Sequence, residues 1–264
     1  MIIIGEKINA TLSSVKSIIL NRETKSLVDL AKEQADAGAN FIDVNVGTGV
    51  GSLEDEIESI KWAVESIQKE VETPLCIDSA DPKVIETGLK FLDKKHSMIN
   101  SAKAEKSDLE AIVPLAAEHD SFLIALAMDE SGIPKTVEGR LRCCETILSA
   151  CESYGVSIQN VYIDPLVMPI STDINSGMVT LKTLTAIKEK FPGARTVTGL
   201  SNVSYGLPER RRLNIAYLHM CIFAGLDAAI VNPLDEALMA AVKTGEVLAG
   251  KDRHCRRYMR SFRK

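Results

Sequence analysis

Carboxylates and amides recur in this chain at one kind of place, the end of a short apolar run. Asp78 ends LCID, Asn100 ends MIN, Asp164 ends VYID, and Asp43 and Asn45 punctuate FIDVN. Ser201 and Asn202 follow RTVTGL, Asn232 ends AAIVN, and Glu6 and Asn9 come just after IIIG. A charge buried without a partner costs several kcal/mol, roughly, so each acid needs a reason to be there. Carboxylates accept hydrogen bonds, while amides both accept and donate. Together they suit a neutral ligand rich in N–H donors and ring acceptors, such as a heterocycle with an amidine-like edge. They suit phosphate poorly, because carboxylates repel it and neither a Gly-rich cradle nor a P-loop lysine is present. Each residue also has a local explanation. In DSADP the helix cap is Ser79 or Asp81, with capping open to Asp78 as a second duty, and IDP can simply turn the chain.

Short β-type runs alternate with longer amphipathic segments from end to end. The runs are 2–5, 41–47, 74–79, 97–101, 122–128, 161–165, 195–204 and 227–233. The segments after them are 24–39, 52–71, 82–92, 107–119, 136–155, 177–191, 210–225 and 235–250. In 52–71, Ile57, Ile60, Ala63 and Val64 recur at helical spacing. Gly38, Gly155, Gly225 and Gly250 fall where helices should stop. Near-continuous apolar strands are those of a parallel sheet covered on both faces. Eight strand–helix units in about 250 residues predict an α/β fold, a (β/α)8 TIM barrel forming one domain over 1–264. A doubly wound sheet is less favoured, since no GxGxxG follows the first run. In such a barrel the chemistry sits at the C-terminal strand ends, which is where the acids and amides fall.

Bulk properties narrow the partners. The chain has 264 residues and a formal net charge of −5, which argues against nucleic acid. The first apolar run is too short for a signal peptide and no later one could span a bilayer, so a cytoplasmic protein without membrane contact is expected. Cysteines at 76, 143, 144, 151, 221 and 255 form neither a disulfide framework nor a CxxC pair, and no metal site is expected. The basic tail 251–264 reads as a solvated or subunit-packing segment, with Tyr258 and Phe262 four apart favouring packing. His219, beside Met220, reads as a packed helical histidine.

Read in order, IIIGEKIN, FIDVNVG, LCIDS, MINS, YIDPL, GLSNVS and GLDAAIVNP resemble the methyltetrahydrofolate:corrinoid-protein methyltransferases nearly end to end. This family is related to the folate domain of cobalamin-dependent methionine synthase and, more distantly, to dihydropteroate synthase. The resemblance implies that Asp78, Asn100 and Asp164 hydrogen-bond the pterin of tetrahydrofolate or 5-methyltetrahydrofolate. It implies that Asn202 is catalytic and hydrogen-bonds N5, the nitrogen bearing the methyl group. Gly199 and Ser201 match a backbone approach beside the ring, and Arg210 falls near the arginine for the folate tail, with Arg211 and Arg212 as competing registers. Glu6, Asp43, Asn45 and Asn232 are weaker candidates, and so is Tyr205, which stands where the family has a polar amide.

The implied reaction moves a methyl group between N5 and the cobalt of a corrinoid (cobalamin), in a direction the residues leave open. A methyl on a tertiary amine leaves poorly, and a donor at N5 that strengthens as charge develops lowers the barrier. Histidines occur only at 96, 119, 219 and 254, none in a DxHxxG pattern, so the corrinoid is expected on a separate protein that docks over the barrel mouth. The family is generally homodimeric. Two other readings stand beside this one: a dihydropteroate-synthase-like enzyme, for which no Ser-x-Arg-Pro or strand-end lysine is present, and a non-catalytic folate-binding barrel.

Overall fold

The computed structural model describes residues 1–93 and 96–262. Eight parallel strands appear in the predicted order: β1 (Ile2–Asn9), β2 (Phe41–Asn45), β3 (Leu75–Asp78), β4 (Met98–Lys103), β5 (Phe122–Leu126), β6 (Val161–Asp164), β7 (Arg195–Thr196) and β8 (Ala228–Val231). From β1 to β7 each pairs with the next in sequence, and β1 pairs with β8. The seam between β7 and β8 is closed by Ile230 N–H donating to Thr198 O at 3.0 Å and by a parallel bridge from Gly199 to Ile230. The result is a (β/α)8 barrel.

Helices α1 (Ser13–Leu20), α2 (Thr24–Asp36), α3 (Leu53–Gln68), α4 (Pro82–Lys90), α5 (Lys106–Glu118), α6 (Val137–Ser153), α7 (Ser176–Lys190), α8 (Arg210–Phe223), α9 (Glu236–Leu248) and α10 (Arg256–Ser261) surround it. Local chemistry explains several ends. Ser52 and Asp55 form a reciprocal capping box at α3, and Thr136 caps α6. Asp81 caps α4 through Lys83 N–H at 2.8 Å, with Pro82 at the first helical position. The capping duty left open for Asp78 is therefore filled by Asp81, and Ser79 instead donates to Glu56 at 2.9 Å. Gly38 and Gly225 (φ +95° and +110°) take the left-handed conformation just past α2 and α8, as do Gly155 and Gly250 after α6 and α9.

Two expectations need correction. Residues 195–204 are not one strand: β7 stops at Thr196, and Leu200–Ser204 winds into a 3-10 turn. Ser, Asn and Gly there favour local hydrogen bonds over a ladder. Helix α1 went unread because its eight residues are too few for a clear period.

Strand alternation builds the barrel interior in layers. Ile4, Phe41, Cys76, Met98, Ile124, Tyr162, Val197 and Ala228 form an apolar core inside the barrel. Phe122 stands edge-on to Phe41 and to Tyr162, ring centroids 5.8 Å apart in each case, and the Arg195 guanidinium lies over both Phe122 and Tyr162. Two residues further along β2, β3, β4 and β6 come Asp43, Asp78, Asn100 and Asp164. The apolar core is thus the floor on which the polar set rests. On the outside, larger apolar clusters join strands to helices. Tyr258 and Phe262 of the tail pack together at 4.9 Å, while residues 263–264 lie outside the described residues. His219 bonds the Ala241 carbonyl through Nε2 at 3.1 Å, the packed role expected of it.

Candidate active site

A cavity of about 610 Å³ opens among the C-terminal strand ends. Of the residues singled out in the sequence, it brings together Glu6, Asp43, Asp78, Asn100, Gly199, Ser201, Asn202, Arg210 and Asn232. Asn45 does not border it; its Nδ2 donates to Asp78 Oδ2 at 3.0 Å and its Oδ1 accepts from Gly47 N–H. Tyr205 does not border the cavity. Its ring is exposed and lies under the Arg210 guanidinium at 6.0 Å. Asp164 does not border it either: its carboxylate accepts from Leu166 N–H at 2.7 Å and from the N–H of Gly199, which does.

The acids form a connected row. Asn100 Nδ2 donates to Asp43 Oδ1 at 3.2 Å, and the Asp43 and Asp78 carboxyls lie against each other. Burial raises the proton affinity of both; for Asp43, the charge of Asp78 adds to it. Glu6 is pushed up to about 7 by burial, against the opposing pull of Lys7 and Arg210. Asp164 is likewise pushed up to about 7 by burial, opposed by its two backbone donors and by Arg140.

These raised values have a consequence for stability. Glu6 and Asp164 titrate near 4 in an unfolded chain and near 7 in the folded one. Between those values the native state binds more protons, so stability falls as pH rises from about 4 to about 7, then levels. A melting series across that range should show the decline in the ligand-free protein, with a shallower slope in Asp164→Asn. A midpoint that rises with pH there would contradict the assignment.

Asn202 is carried on the 3-10 turn, and the turn is pinned from α8. Arg210 Nη2 donates to Ser201 O at 2.8 Å and its Nε donates to Ser204 Oγ at 3.1 Å. The Asn202 side-chain amide makes no hydrogen bond among the described residues and borders the cavity. Gly199 adds only backbone to the wall; a Cβ there would sit 3.4 Å from Asn202 Nδ2. The adjacent arginines separate: Arg211 forks onto Asp235 with Nε bonds of 3.1 and 3.0 Å, and Arg212 turns to Glu209 at 3.3 Å.

Some bordering residues carried no usable signal in the sequence. An extra residue in β1 between Gly5 and Ile8 breaks the strand alternation, and so Lys7 reaches the cavity beside Glu6 and Asn9. Asn214, one turn after Arg210 on α8, also borders it, with its Oδ1 buried and without a hydrogen-bond partner among the described residues. Its i+4 spacing from Arg210 was the only hint.

Arg140 supports the site from behind and was likewise missed. It is 2% exposed. Its guanidinium bonds the carbonyls of Pro134 (3.0 Å), Pro165 (2.7 Å) and Leu166 (2.9 Å) and the Thr180 hydroxyl (3.2 Å). It thereby fixes the segment whose Leu166 N–H holds Asp164, at a residue with φ of +67°. Arg140→Met should destabilise the fold by about 2–4 kcal/mol, because several buried carbonyls lose their donor. Urea denaturation would read this, and a loss under about 1 kcal/mol would mean those carbonyls find other partners.

Among the described residues, no group of three or more His, Cys, Asp or Glu side chains is placed to hold a metal ion. What the mouth offers is a wall of acceptors on one side, formed by Asp78 and Asn100, and a free amide on the other, Asn202.

Comparison with known proteins assigns this barrel. A family profile described as pterin binding enzyme matches residues 5–232. The methylcorrinoid:tetrahydrofolate methyltransferase of Eubacterium limosum is 36% identical over 265 positions, covering 100% of this chain and 96% of that protein. The chain belongs to the pterin binding enzymes and, within them, to the family of folate–corrinoid methyltransferases. The methionine synthase of Mycobacterium tuberculosis is 30% identical over 245 positions, which are 88% of this chain and 20% of that protein. A Yersinia pestis dihydropteroate synthase bound to a pterine–sulfa conjugate superposes with a TM-score of 0.73 over 95% of this chain and 94% of its own, at 16% identity. That last likeness concerns the fold alone.

Proposed function

We propose that this chain transfers a methyl group between N5 of tetrahydrofolate and the cobalt of a corrinoid carried by a separate protein. The observation that carries this reading is the convergence of acceptors and one free amide on a single cavity, in a chain related over its full length to a methylcorrinoid:tetrahydrofolate methyltransferase. Residues 1–264 act as one pterin-binding domain. Asp78 and Asn100 take the 2-amino-pyrimidinone edge, where a carboxylate accepts paired N–H bonds. Asp164 supports the far side of the pterin through Gly199. Asn202 lies at N5, flanked by Gly199 and Ser201, and Arg210 holds its turn and faces the folate tail. Glu6 and Asn232 complete the rim.

The corrinoid supplies a cobalt centre that gives or accepts the methyl group. This chain's own residues bind the pterin, orient N5 toward the mouth and place a donor on it. When the C–N bond breaks, its electron pair is left on N5, which gains a proton from water at the open mouth, and the Asn202 amide donates a hydrogen bond that stabilises the charge developing there. The same hydrogen bond serves the reverse direction, in which N5 attacks.

Two copies of the chain assemble in the cytoplasm. Supporting this are the exposed side chains of Phe223 (84%), Leu248 (75%) and Met220 (47%), which edge an apolar groove between α7, α8 and α9, and six cysteines that are all free thiols. No described helix is long and apolar enough to cross a membrane.

The test mixes the purified chain with 5-methyltetrahydrofolate and chemically reduced cobalamin and follows the visible spectrum as the cobalt is methylated. Methyl transfer that depends on the chain supports the reading. Tight folate binding with no transfer to free cobalamin or to any corrinoid protein would favour a folate-binding barrel instead.

A further inference from the structure

The row of hydrogen bonds across β2, β3 and β4 contains one acid more than a pterin edge requires. Asp43 is 2% exposed, faces the barrel interior and lies opposite Cys76 in the β2–β3 register; Asn45 lies opposite Asp78 and Asp78 opposite Asn100. Its surroundings are specific. Asn100 Nδ2 donates to its Oδ1 at 3.2 Å, the Cys76 thiol stands beside it on β3, and the Asp78 carboxyl faces it. Two ionised carboxylates buried against each other repel, and a proton held between them turns that contact into a hydrogen bond.

We propose that Asp43 is a positioning residue: it carries a proton shared with Asp78 and, through that bond and the one from Asn100, fixes both side chains that meet the pterin. This rests on the reading of the site given above. The geometry explains both orientations. Asn100, having given its NH2 to Asp43, presents its carbonyl oxygen to the cavity. Asp78, held by Asn45 Nδ2 on one side and Asp43 on the other, cannot rotate away from the mouth.

The charged groups facing the pair favour keeping that proton. Glu56 of α3 and the Cys76 thiol on β3 add no positive charge. Across the cavity stands Glu6 of β1, and the nearby cations, Lys7 and Arg210, act on Glu6. Burial acts in the same direction.

The experiment compares wild type, Asp43→Asn and Asp43→Ala. Calorimetric titration with 5-methyltetrahydrofolate from about pH 6 to about pH 9 reads the affinity profile. In the wild type, affinity should fall on the alkaline side, where loss of the shared proton turns a hydrogen bond into repulsion. Asp43→Asn keeps a donor that does not titrate, so this limb should become clearly shallower, leaving only what Glu6 and Asp164 contribute, and the variant should recover at least about tenfold of the affinity that Asp43→Ala loses at neutral pH. An unchanged alkaline limb in Asp43→Asn, or an Asn variant as weak as the Ala variant, would overturn the proposal. Infrared difference spectra of the ligand-free protein give an independent reading: the wild type should show a protonated-carboxyl band at neutral pH that Asp43→Asn lacks, and identical spectra would also overturn it. If that band is present but the wild type binds no folate, the functional reading falls and the shared proton stands.

Discussion

Asn202→Ala should slow methyl transfer by a factor on the order of 10²–10³, the usual cost of losing one positioned donor at a site of developing charge. The size of the effect follows from how the amide is held. The turn carrying it is tied by Arg210 to the Ser201 carbonyl and the Ser204 hydroxyl, so the donor is in place before the ligand arrives. No reorganisation is required during the reaction, which is what makes such a donor effective. Its bond to N5 is weak to a neutral amine and strengthens as the C–N bond breaks. The loss should therefore fall mainly on kcat and far less on folate affinity. Single-turnover transfer to reduced cobalamin, with folate binding measured separately, separates the two. An equal loss in binding and no loss in the transfer step would mean that Asn202 grips the ring rather than serving N5. Asn202→Asp offers a second check, because it keeps the size but replaces the donor with an acceptor at neutral pH, and it should be as slow as the Ala variant.

Asp78→Ala should abolish folate binding over the concentrations calorimetry can reach. Two charge-assisted hydrogen bonds to the pyrimidinone edge are worth about 1.5–3 kcal/mol each, so their loss weakens binding on the order of 10²–10⁴-fold. The damage spreads along the row: without Asp78, the Asn45 amide and the Asp43 hydroxyl both lose their acceptor. Asp78→Asn isolates the electrostatic part. It fits the same space but sets an NH2 donor against one of the ligand's donors, and it should bind as poorly as the Ala variant. Near-wild-type affinity in Asp78→Asn would reduce this residue to packing, and the assigned pterin edge would have to move elsewhere.

These two residues were visible in the sequence for the same reason the fold was. Strand and helix signals are local: Asp78 ends a short apolar run and Asn202 follows one, and in a parallel barrel the ends of such runs are the chemical face. Gly38, Gly155, Gly225 and Gly250 marked helix ends because left-handed backbone selects glycine. The order of the seven motifs added the family, which no single motif could.

Other features were decided only by packing. Asp43 and Asp78 are 35 positions apart in the chain, and nothing local says that their carboxyls meet; the β2–β3 register does. Lys7 enters the cavity because one extra residue in β1 re-aims the strand. The local cap of α4 belongs to Asp81, which leaves Asp78 free for the cavity. Asn202 gained its geometry from Arg210, eight residues away on the next helix, and Asp164 from Arg140, on a helix that precedes its strand. Sequence alone thus picked out many of the side chains that reach the barrel mouth, Asp78, Asn100 and Asn202 among them, because strand alternation and helix capping act over a few residues. It also picked out Asp164 and Tyr205, which do not border the cavity, and gave no sign of Lys7. Which of them touch one another, which share a proton and which brace the others was decided by contacts between strands and helices distant in the chain, and only the closed barrel brings those together.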